Sequence, residues 1–460
     1  MASLGVGVYA ARMLFRRVVY WVSGRCLRWF YREHRVVGYG AVPLSGPVLL
    51  AGNHPNDLPD VIAGLYLSPR HPRYIATVSV TSNAMAKAMY EAMAVIPVAR
   101  VRDARKMKAE GADLAAVNQA ATDAVLAALA AGEVVEVFPE GGVHDVPQIG
   151  RLRTGVAKMV LDHLDAAAEN DVTIVPFGHQ YEAPRRWRSD LLTVLGTPWG
   201  VRAWLASQPA DQRGPSALTE RLGESIRAVT RNAESWEEGA TRDEIVAVAA
   251  ALRAPRDPLG AAPGLVPAAS AMAADAHGDG PSPLAVHIRT AAHALAAAVE
   301  RAGGIGTSAV DHARLLHALG VHPAGAPVPS IALGLAVPVA AIGWAVHAPV
   351  LPLVHALSAR RAKARVDLVA GCFVPGLYLV LLWWLVVALL AAVGLAVAGW
   401  SPLWAVLLLV TLPRFGDFAL GWRDRLGAWR FVKRIHEWSP PECERLRAAA
   451  AVIRGWAITL

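Results

Sequence analysis

A histidine and an aspartate stand six positions apart in Asn53-His54-Pro55-Asn56-Asp57-Leu58-Pro59-Asp60, directly after the apolar run Val48-Leu49-Leu50-Ala51. An imidazole beside a carboxylate can take a proton from a hydroxyl, because the acid fixes the ring tautomer and stabilises the imidazolium that forms. Asp60 would lie about a turn and a half of helix beyond His54. Asp57 is nearer in sequence and could instead cap the helix that follows. The alternative for His54 is a histidine with a structural role alone.

Two further blocks could complete a site. Phe138-Pro139-Glu140-Gly141-Gly142-Val143-His144-Asp145 again ends an apolar run. Pro139 stops the strand there, and the two glycines let backbone N–H groups approach a ligand closely. His144 could add a polar group. Arg151 and Arg153 precede Thr154-Gly155, which opens a helix, and cations beside a helix start make a phosphate pocket. In Val95-Ile96-Pro97-Val98-Ala99-Arg100, Arg100 and then Arg102 emerge from an apolar strand, and arginine grips phosphate with two parallel donors. The plainer readings are a tight turn with a surface carboxylate, and solvated charge beside Asp103, Arg105 and Lys106.

The segments around these blocks alternate in the α/β manner. The pattern predicts strands over 47–52, 73–80, 95–98, 134–138 and 173–177, and helices over 61–66, 84–93, 107–131 and 154–164. Continuous apolar strands are those of a sheet buried on both faces, and its strand ends open into loops, where α/β folds keep their chemistry. Residues 218–251 read as amphipathic helix covering the sheet, 255–280 as an Ala/Gly/Pro-rich linker, and 284–319 as Ala-rich helix. The chain shows no internal repeat.

Composition adds a membrane. Of the 460 residues 54% are hydrophobic, above the usual 45–50%. The excess gathers near the N-terminus and between about 329 and 413. In 1–35, Arg12, Arg16, Arg17, Arg25, Arg28 and Arg32 are interleaved with aromatic and aliphatic residues, which fits a helix lying in a lipid interface better than a cleavable leader. A helix docked on the protein's own core is the alternative. Residues 368–412 carry no charge, room for one span and a return, with a turn at Gly399-Trp400-Ser401-Pro402. Basic residues flank both ends (Arg360, Arg361, Lys363 and Arg365; Arg414, Arg423 and Arg425), so both ends of the hairpin are expected in the cytosol. The net charge of +8 then points to anionic lipid or an anionic substrate. Nothing in the sequence suggests nucleic-acid binding. Three scattered cysteines give neither a disulfide framework nor a metal cluster.

Asn53-His54 with its following aspartate, Ile96-Pro97-Val98-Ala99-Arg100, Phe138-Pro139-Glu140-Gly141 and Ile174-Val175-Pro176 resemble, in order, the four motif blocks of the glycerolipid acyltransferase superfamily. The His-Pro-Asn form and the stretch 144–157 are similar to its branch with fungal-type glycerol-3-phosphate and dihydroxyacetone-phosphate acyltransferases and a C-terminal hydrophobic region. Two departures stand out. Five residues separate His54 from Asp60 where four are usual, and Val143 stands where a serine is common.

The resemblance implies a fold and a set of roles. The fold is a mixed α/β sheet flanked by helices, with an N-terminal interfacial helix and a C-terminal transmembrane hairpin. Residues 1–35 would be the interface helix, 36–252 the acyltransferase domain, 253–325 a linker with a helical segment, 326–422 membrane-embedded helices and 423–460 a cytosolic segment. His54 would be the base and Asp60 its partner, with Asp57 in reserve. Arg100 and Arg153 would hold phosphate, Glu140 and Gly141 the glycerol part, His144 would stand in for the missing serine, and Pro176 would shape the wall. The acyl donor would be acyl-CoA or acyl carrier protein, and the acceptor glycerol-3-phosphate or lysophosphatidic acid (1-acylglycerol-3-phosphate). The membrane would supply anionic lipids. No cofactor or metal is expected, and the site would face the cytoplasm at the cell membrane. Three other readings compete: transfer to another lysolipid; an esterase, for which the sequence lacks a G-x-S-x-G elbow; and a non-catalytic membrane lipid-binding protein.

Overall fold

The computed structural model describes residues 2–77, 91, 93–99, 113–144, 146–167, 170–184, 186–274, 282–321, 330–361 and 367–460. The chain divides into two compact units. The first comprises 1–27, 36–180 and 192–232, and the second 28–35, 181–191 and 233–460.

The first unit is built on an eight-stranded sheet. Its strands are β1 (Glu33–Val37), β2 (Val48–Gly52), β3 (Pro72–Thr77), β4 (Ile96–Val98), β5 (Val134–Val137), β6 (Thr173–Tyr181), β7 (Asp190–Leu195) and β8 (Trp199–Gly200). They run in the order β1-β7-β6-β2-β5-β3-β4, with β8 paired to β6. Strands β6, β2, β5, β3 and β4 are parallel, and β8 is antiparallel, so the sheet is mixed. Helices α1 (Ala2–Phe30), α2 (Leu58–Gly64), α3 (Leu114–Ala130), α4 (Gly155–Ala166), α5 (Val201–Ser207) and α6 (Pro215–Arg227) accompany it.

Side chains alternate across a strand, so each strand feeds two cores. Leu49, Ala51, Val135, Val137 and Ile174 enter one with Val125 and Leu129 of α3, Val160 of α4 and Leu218 and Leu222 of α6. Val48, Leu50, Val134, Val175 and Phe177 enter the other with Leu67 and Leu195. Burying each large aliphatic side chain contributes about 1.5–3 kcal/mol.

Several elements differ from the sequence reading. Helix α2 begins at Leu58 rather than 61, because Asp57 takes the N-cap position and Pro59 is preset for the first turn. The stretch 107–112, the helix expected over 84–93 apart from residues 91 and 93, and the end of the strand over 73–80 lie outside the described residues. Strands β1, β7 and β8 carried no separate expectation. Val19 and Tyr20 of α1 pack against Leu65, Tyr74 and Met93, while Leu14, Phe15, Val18 and Trp21 of the same helix remain exposed.

The second unit is helical: α7 (Trp236–Arg253), α8 (Pro258–Ala261), α9 (Val266–Ala274), α10 (Pro283–Arg301), α11 (Ala309–Ala318), α12 (Ser330–Leu335), α13 (Val337–His347), α14 (Val350–Arg361), α15 (Asp367–Val397), α16 (Trp404–His436) and α17 (Pro440–Ile458). Helix α7 lies in the second unit and is buried all round over its latter half rather than amphipathic. Every residue from Ile245 to Leu252 is buried, and α9, α10, α11 and α17 pack around it. Its start is locked by Ser235, which accepts from the Glu238 N–H while the Glu238 carboxylate accepts from the Glu234 N–H. The stretch 255–280 is helical as far as Ala274 rather than a linker. Asp257 caps Gly260, Pro258 opens the turn, and alanine-rich sequence propagates it.

Among the described residues, two helices in this unit are long and apolar enough to cross a membrane, residues Leu379–Val397 of α15 and α16, and α13 with α14 forms a bent pair at 44°. Gly399, at φ 76°, makes the turn between α15 and α16. Trp29 donates to Asp417 (2.9 Å) and Trp384 to His347 (3.0 Å) within this helical layer.

Outside those helices, one guanidinium gathers three carboxylates. Arg32 pairs with Asp190, reaches Asp311 at 3.2 Å and Glu182 at 3.9 Å, and donates to Ser308 at 3.2 Å. Burial, reinforced by the charge of Asp190 and only partly offset by Arg32, pushes the Glu182 carboxyl up to about 8. An acid whose folded pKa is raised stabilises the fold fully below its unfolded pKa and loses that contribution as pH rises through the folded value. The melting temperature is therefore expected to fall between pH 4.5 and about 8, and less steeply in Glu182→Gln. Scanning calorimetry across that range checks this; parallel profiles for the two proteins would count against it.

Candidate active site

The site forms where β2 and β5 end, beside the continuing β6. Asn53 continues the ladder with its side chain, donating to the His179 carbonyl (3.0 Å) and accepting from the His179 N–H (2.7 Å). The next residue, His54, donates its backbone N–H to Glu140 Oε1 at 2.7 Å. The main chain of His54 is thus held by the loop after β5, and the residue before it is tied to β6. Its ring stacks on Phe138, with centroids 4.3 Å apart and planes 14° from parallel.

Asp60, in the first turn of α2, has no exposed surface. Its Oδ2 lies 2.9 Å from His54 Nδ1 and accepts the Asn56 N–H at 2.6 Å. That contact holds the proton on Nδ1 and leaves Nε2 as the basic nitrogen. Asp57, at φ 54°, occupies the N-cap without a side-chain cap bond. The wider spacing between His54 and Asp60 is absorbed by this turn.

Glu140 is the second buried carboxylate. Besides His54 N–H, it accepts the Gly150 N–H (2.6 Å) on Oε2 and meets His144 Nε2 there. Burial acts to raise its pKa. The His144 ring and the two backbone donors outweigh that and hold it below the usual carboxylate value. Gly150 makes this possible: a Cβ there would lie 2.7 Å from the His144 ring and 2.8 Å from Glu140 Oε2.

Gly141 turns the chain at φ 70°, and Arg153 passes close by, its Cγ 3.3 Å from where a Cβ on Gly141 would stand. Arg153 donates its N–H to the Pro139 carbonyl (2.8 Å) and keeps its guanidinium side exposed. Pro176 lies inside β6 opposite Ala51, one register step below Gly52 and Phe177. Arg100 lies outside the described residues, as do Arg102 and Asp145. The strand leading to Arg100 is anchored, since Asn118 of α3 bonds both the N–H (2.8 Å) and the carbonyl (3.1 Å) of Ala99.

Several contributors carried no expectation. Asn53 is legible in the sequence only as part of a motif. Phe138 has the sequence signature of a strand end and none of a platform for the ring. His179 sits buried behind the site, its Nδ1 2.9 Å from Thr193 Oγ1. Burial, aided by the nearby His54, lowers its pKa to about 3 against a bond to the Asp60 backbone, so it is neutral. Its one sequence signal is a position three residues past Pro176. Among the described residues no group of three His, Cys, Asp or Glu side chains is placed to hold a metal ion.

A family model described as Acyltransferase matches residues 33–180. That match covers about a third of the chain and includes the His54, Glu140 and Pro176 blocks. Glycerol-3-phosphate O-acyltransferase 1 of Saccharomyces cerevisiae is 30% identical over 113 residues, covering 24% of this chain and 15% of that protein. Glycerol-3-phosphate O-acyltransferase 2 of the same yeast is 31% identical over 105 residues, 22% of this chain and 14% of that protein. An uncharacterized acyltransferase of Schizosaccharomyces pombe is 36% identical over 73 residues, 16% of this chain and 11% of that protein. The matched part spans only 11% to 15% of the length of these relatives. The solved 1-acyl-sn-glycerophosphate acyltransferase of Thermotoga maritima aligns at 16% identity with a TM-score of 0.33, covering 48% of this chain and 79% of that one.

The two candidate acids of the acyltransferase domain are separated by a simple comparison. Asp60→Asn should lower turnover about 10²-fold or more, the scale of losing a positioned acid–base group. Asp57→Asn should cost far less. Steady-state kinetics on both purified variants check this, and the reverse ranking would move the partner role to Asp57.

Proposed function

We propose that the protein is a membrane-bound O-acyltransferase that moves a fatty acyl group from acyl-CoA or acyl carrier protein to the hydroxyl of glycerol-3-phosphate or 1-acylglycerol-3-phosphate. The observation that carries this reading is the buried pair of His54 Nδ1 and Asp60 Oδ2 at 2.9 Å, at the mouth of the acyltransferase domain's parallel strands.

Asp60 holds the imidazole in one tautomer and stabilises it once charged. His54 Nε2 takes the proton of the acceptor hydroxyl. The oxygen attacks the thioester carbonyl carbon, and a new C–O bond forms. The C–S bond then breaks, and the thiolate leaves with the proton carried by the imidazolium. No acyl-enzyme is required. General base catalysis contributes about 10²–10⁴-fold, and holding donor and acceptor together supplies more. Arg153 and Arg100 take the acceptor's phosphate. Glu140, Gly141 and His144 shape the pocket between phosphate and base, and Pro176 supports its wall.

Membrane attachment follows from surfaces described above. The exposed Leu14, Phe15, Val18 and Trp21 share one side of α1, with Arg25 over the Trp21 ring at 5.0 Å, a pattern suited to the headgroup boundary. The apolar pair α15 and α16 inserts, and its basic flanks keep both ends, and the active site, on the cytoplasmic side.

His54→Ala should abolish acyl transfer from labelled acyl thioester to glycerol-3-phosphate and its 1-acyl derivative while leaving folding and membrane association intact. Retained turnover in the purified variant would overturn the mechanism. Deleting residues 368–412 should release much of the protein into the soluble fraction on carbonate-washed membranes, and unchanged sedimentation would remove the hairpin's role.

A further inference from the structure

Helices α12, α13 and α14 are apolar yet lie outside the hairpin of α15 and α16. No Asp, Glu, Lys or Arg stands between Arg314 and Arg360. Ile331, Leu335 and Ile342 on the first two helices, and Leu351 and Leu353 on the third, are exposed. Helix α13 has 11 residues and α14 has 12. Placed end to end they would reach about 34 Å, enough to cross the roughly 30 Å of hydrocarbon in a bilayer. Length therefore allows a span with a 44° bend. Register and connectivity within the helical unit exclude it.

The register runs up one helix and down the other. Near the start, the Leu333 carbonyl accepts the Trp422 indole N–H of α16 at 2.9 Å. Farther on, Gly343 lies so close to α16 that a Cβ there would strike the Phe415 carbonyl and stand 2.8 Å from Ala419 Cβ. At the bend, His347 rests on Gly416 and accepts the Trp384 N–H of α15. Beyond the bend, Val354 packs with Val380, and a Cβ on Gly376 would lie 3.0 Å from Val354 Cγ1. Thus α13 climbs α16 from residue 422 to 416, and α14 descends α15 from residue 384 to 376. The bend stops at Trp384, about 22 Å of helix short of the turn at Gly399. Past that level Leu390, Val393, Val397 and Leu403 are exposed. The bend needs no water. The Val346 carbonyl accepts the Trp383 N–H, and His347 Nδ1 lies 2.8 Å from the Gly343 carbonyl, so both ring nitrogens have protein partners.

Connectivity gives the same answer independently. Helices α10 and α11 precede this stretch, and α17 follows α16. Arg301 of α10 pairs with Glu442 of α17 at 2.5 Å. Arg447 and Arg454 of α17 donate to the carbonyls of Leu319 (2.8 Å) and Val321 (3.0 Å) just after α11. These helices share one side of any membrane, so the chain between them crosses an even number of times. Helices α15 and α16 supply two crossings, and α12 to α14 supply none.

We propose that α12, α13 and α14 form a re-entrant element that enters and leaves the bilayer face carrying α10 and α17, and that acyl chains of that leaflet alone cover its exposed apolar side chains. This rests on the membrane reading of α15 and α16 above. The near leaflet then holds five helices and the far leaflet two. Arg360, exposed near the end of α14, meets headgroups of the near leaflet.

The test uses the full chain carrying Cys26→Ser, Cys372→Ser and Cys443→Ser, in sealed membrane vesicles of each orientation. Single cysteines are introduced as Thr290→Cys in α10, Arg360→Cys, Ser401→Cys at the hairpin turn and Ser439→Cys before α17, and probed with a membrane-impermeant maleimide. Positions 290, 360 and 439 should label in one vesicle population and position 401 only in the other. Labelling of 290 and 360 in opposite populations would make the bent pair a span and overturn the proposal, leaving the hairpin in place wherever 360 and 401 still differ. Labelling of all four in one population would overturn the hairpin and the proposal with it. Depth is read separately from nitroxide labels at Ile342→Cys, Leu353→Cys and Val393→Cys. The first two should relax more with oxygen than with a water-soluble nickel chelate, and at a shallower depth than the third. Preference for the nickel chelate at 342 and 353, or a depth equal to that of 393, would overturn the proposal while leaving the hairpin intact.

Discussion

A carboxylate with no exposed surface organises the end of the sheet at which β2 stops. An ion taken out of water costs several kcal/mol unless donors replace the solvent. For Asp60 the donors are the His54 ring and the Asn56 N–H, and both belong to the loop that leaves β2. The loop therefore cannot move independently of α2. The same loop is fixed from the sheet side by Asn53 and by Glu140. Imidazole, carboxylate and strand ends form one tied set, the arrangement that proton transfer at hydrogen-bond distance would require.

Much of this set was legible in the sequence, because it rests on local signals. Short apolar runs marked β2, β5 and β6, and polar residues immediately after them marked the loops. Asp60 was identifiable from its spacing to His54. Less legible were partners supplied by residues distant in the chain. The pairing of Asn53 with His179 spans 126 positions and uses, on the His179 side, main-chain atoms that every residue has. Phe138 reads as an ordinary strand residue until its ring is found against His54. The role of Glu140 as a tie between two histidines depended on Gly150, whose small size matters only once the loop has folded back.

The second unit shows where periodicity misleads. Helix α7 alternates charged and apolar residues at its start, so it reads as a surface helix. Its latter half is Ala-rich, and small side chains let neighbours close in on every side. The alanine- and proline-containing stretch after it looks like a linker by composition, yet a capping aspartate followed by proline is a start signal that composition alone hides. The apolar length of α15 and α16 needed no tertiary information, which is why that segment was the easiest to read.

Gly64 closes α2 four residues beyond Asp60. A Cβ there would fall 1.9 Å from Glu136 Oε1, and burial keeps the Glu136 carboxyl well above the usual pKa, hence uncharged. The gap between this helix and β5 is thus set by a hydrogen atom resting on a neutral acid. One methyl group at position 64 would lever the helix outward and draw the aspartate off its imidazole, so chemistry at the strand ends depends on a residue that never meets substrate.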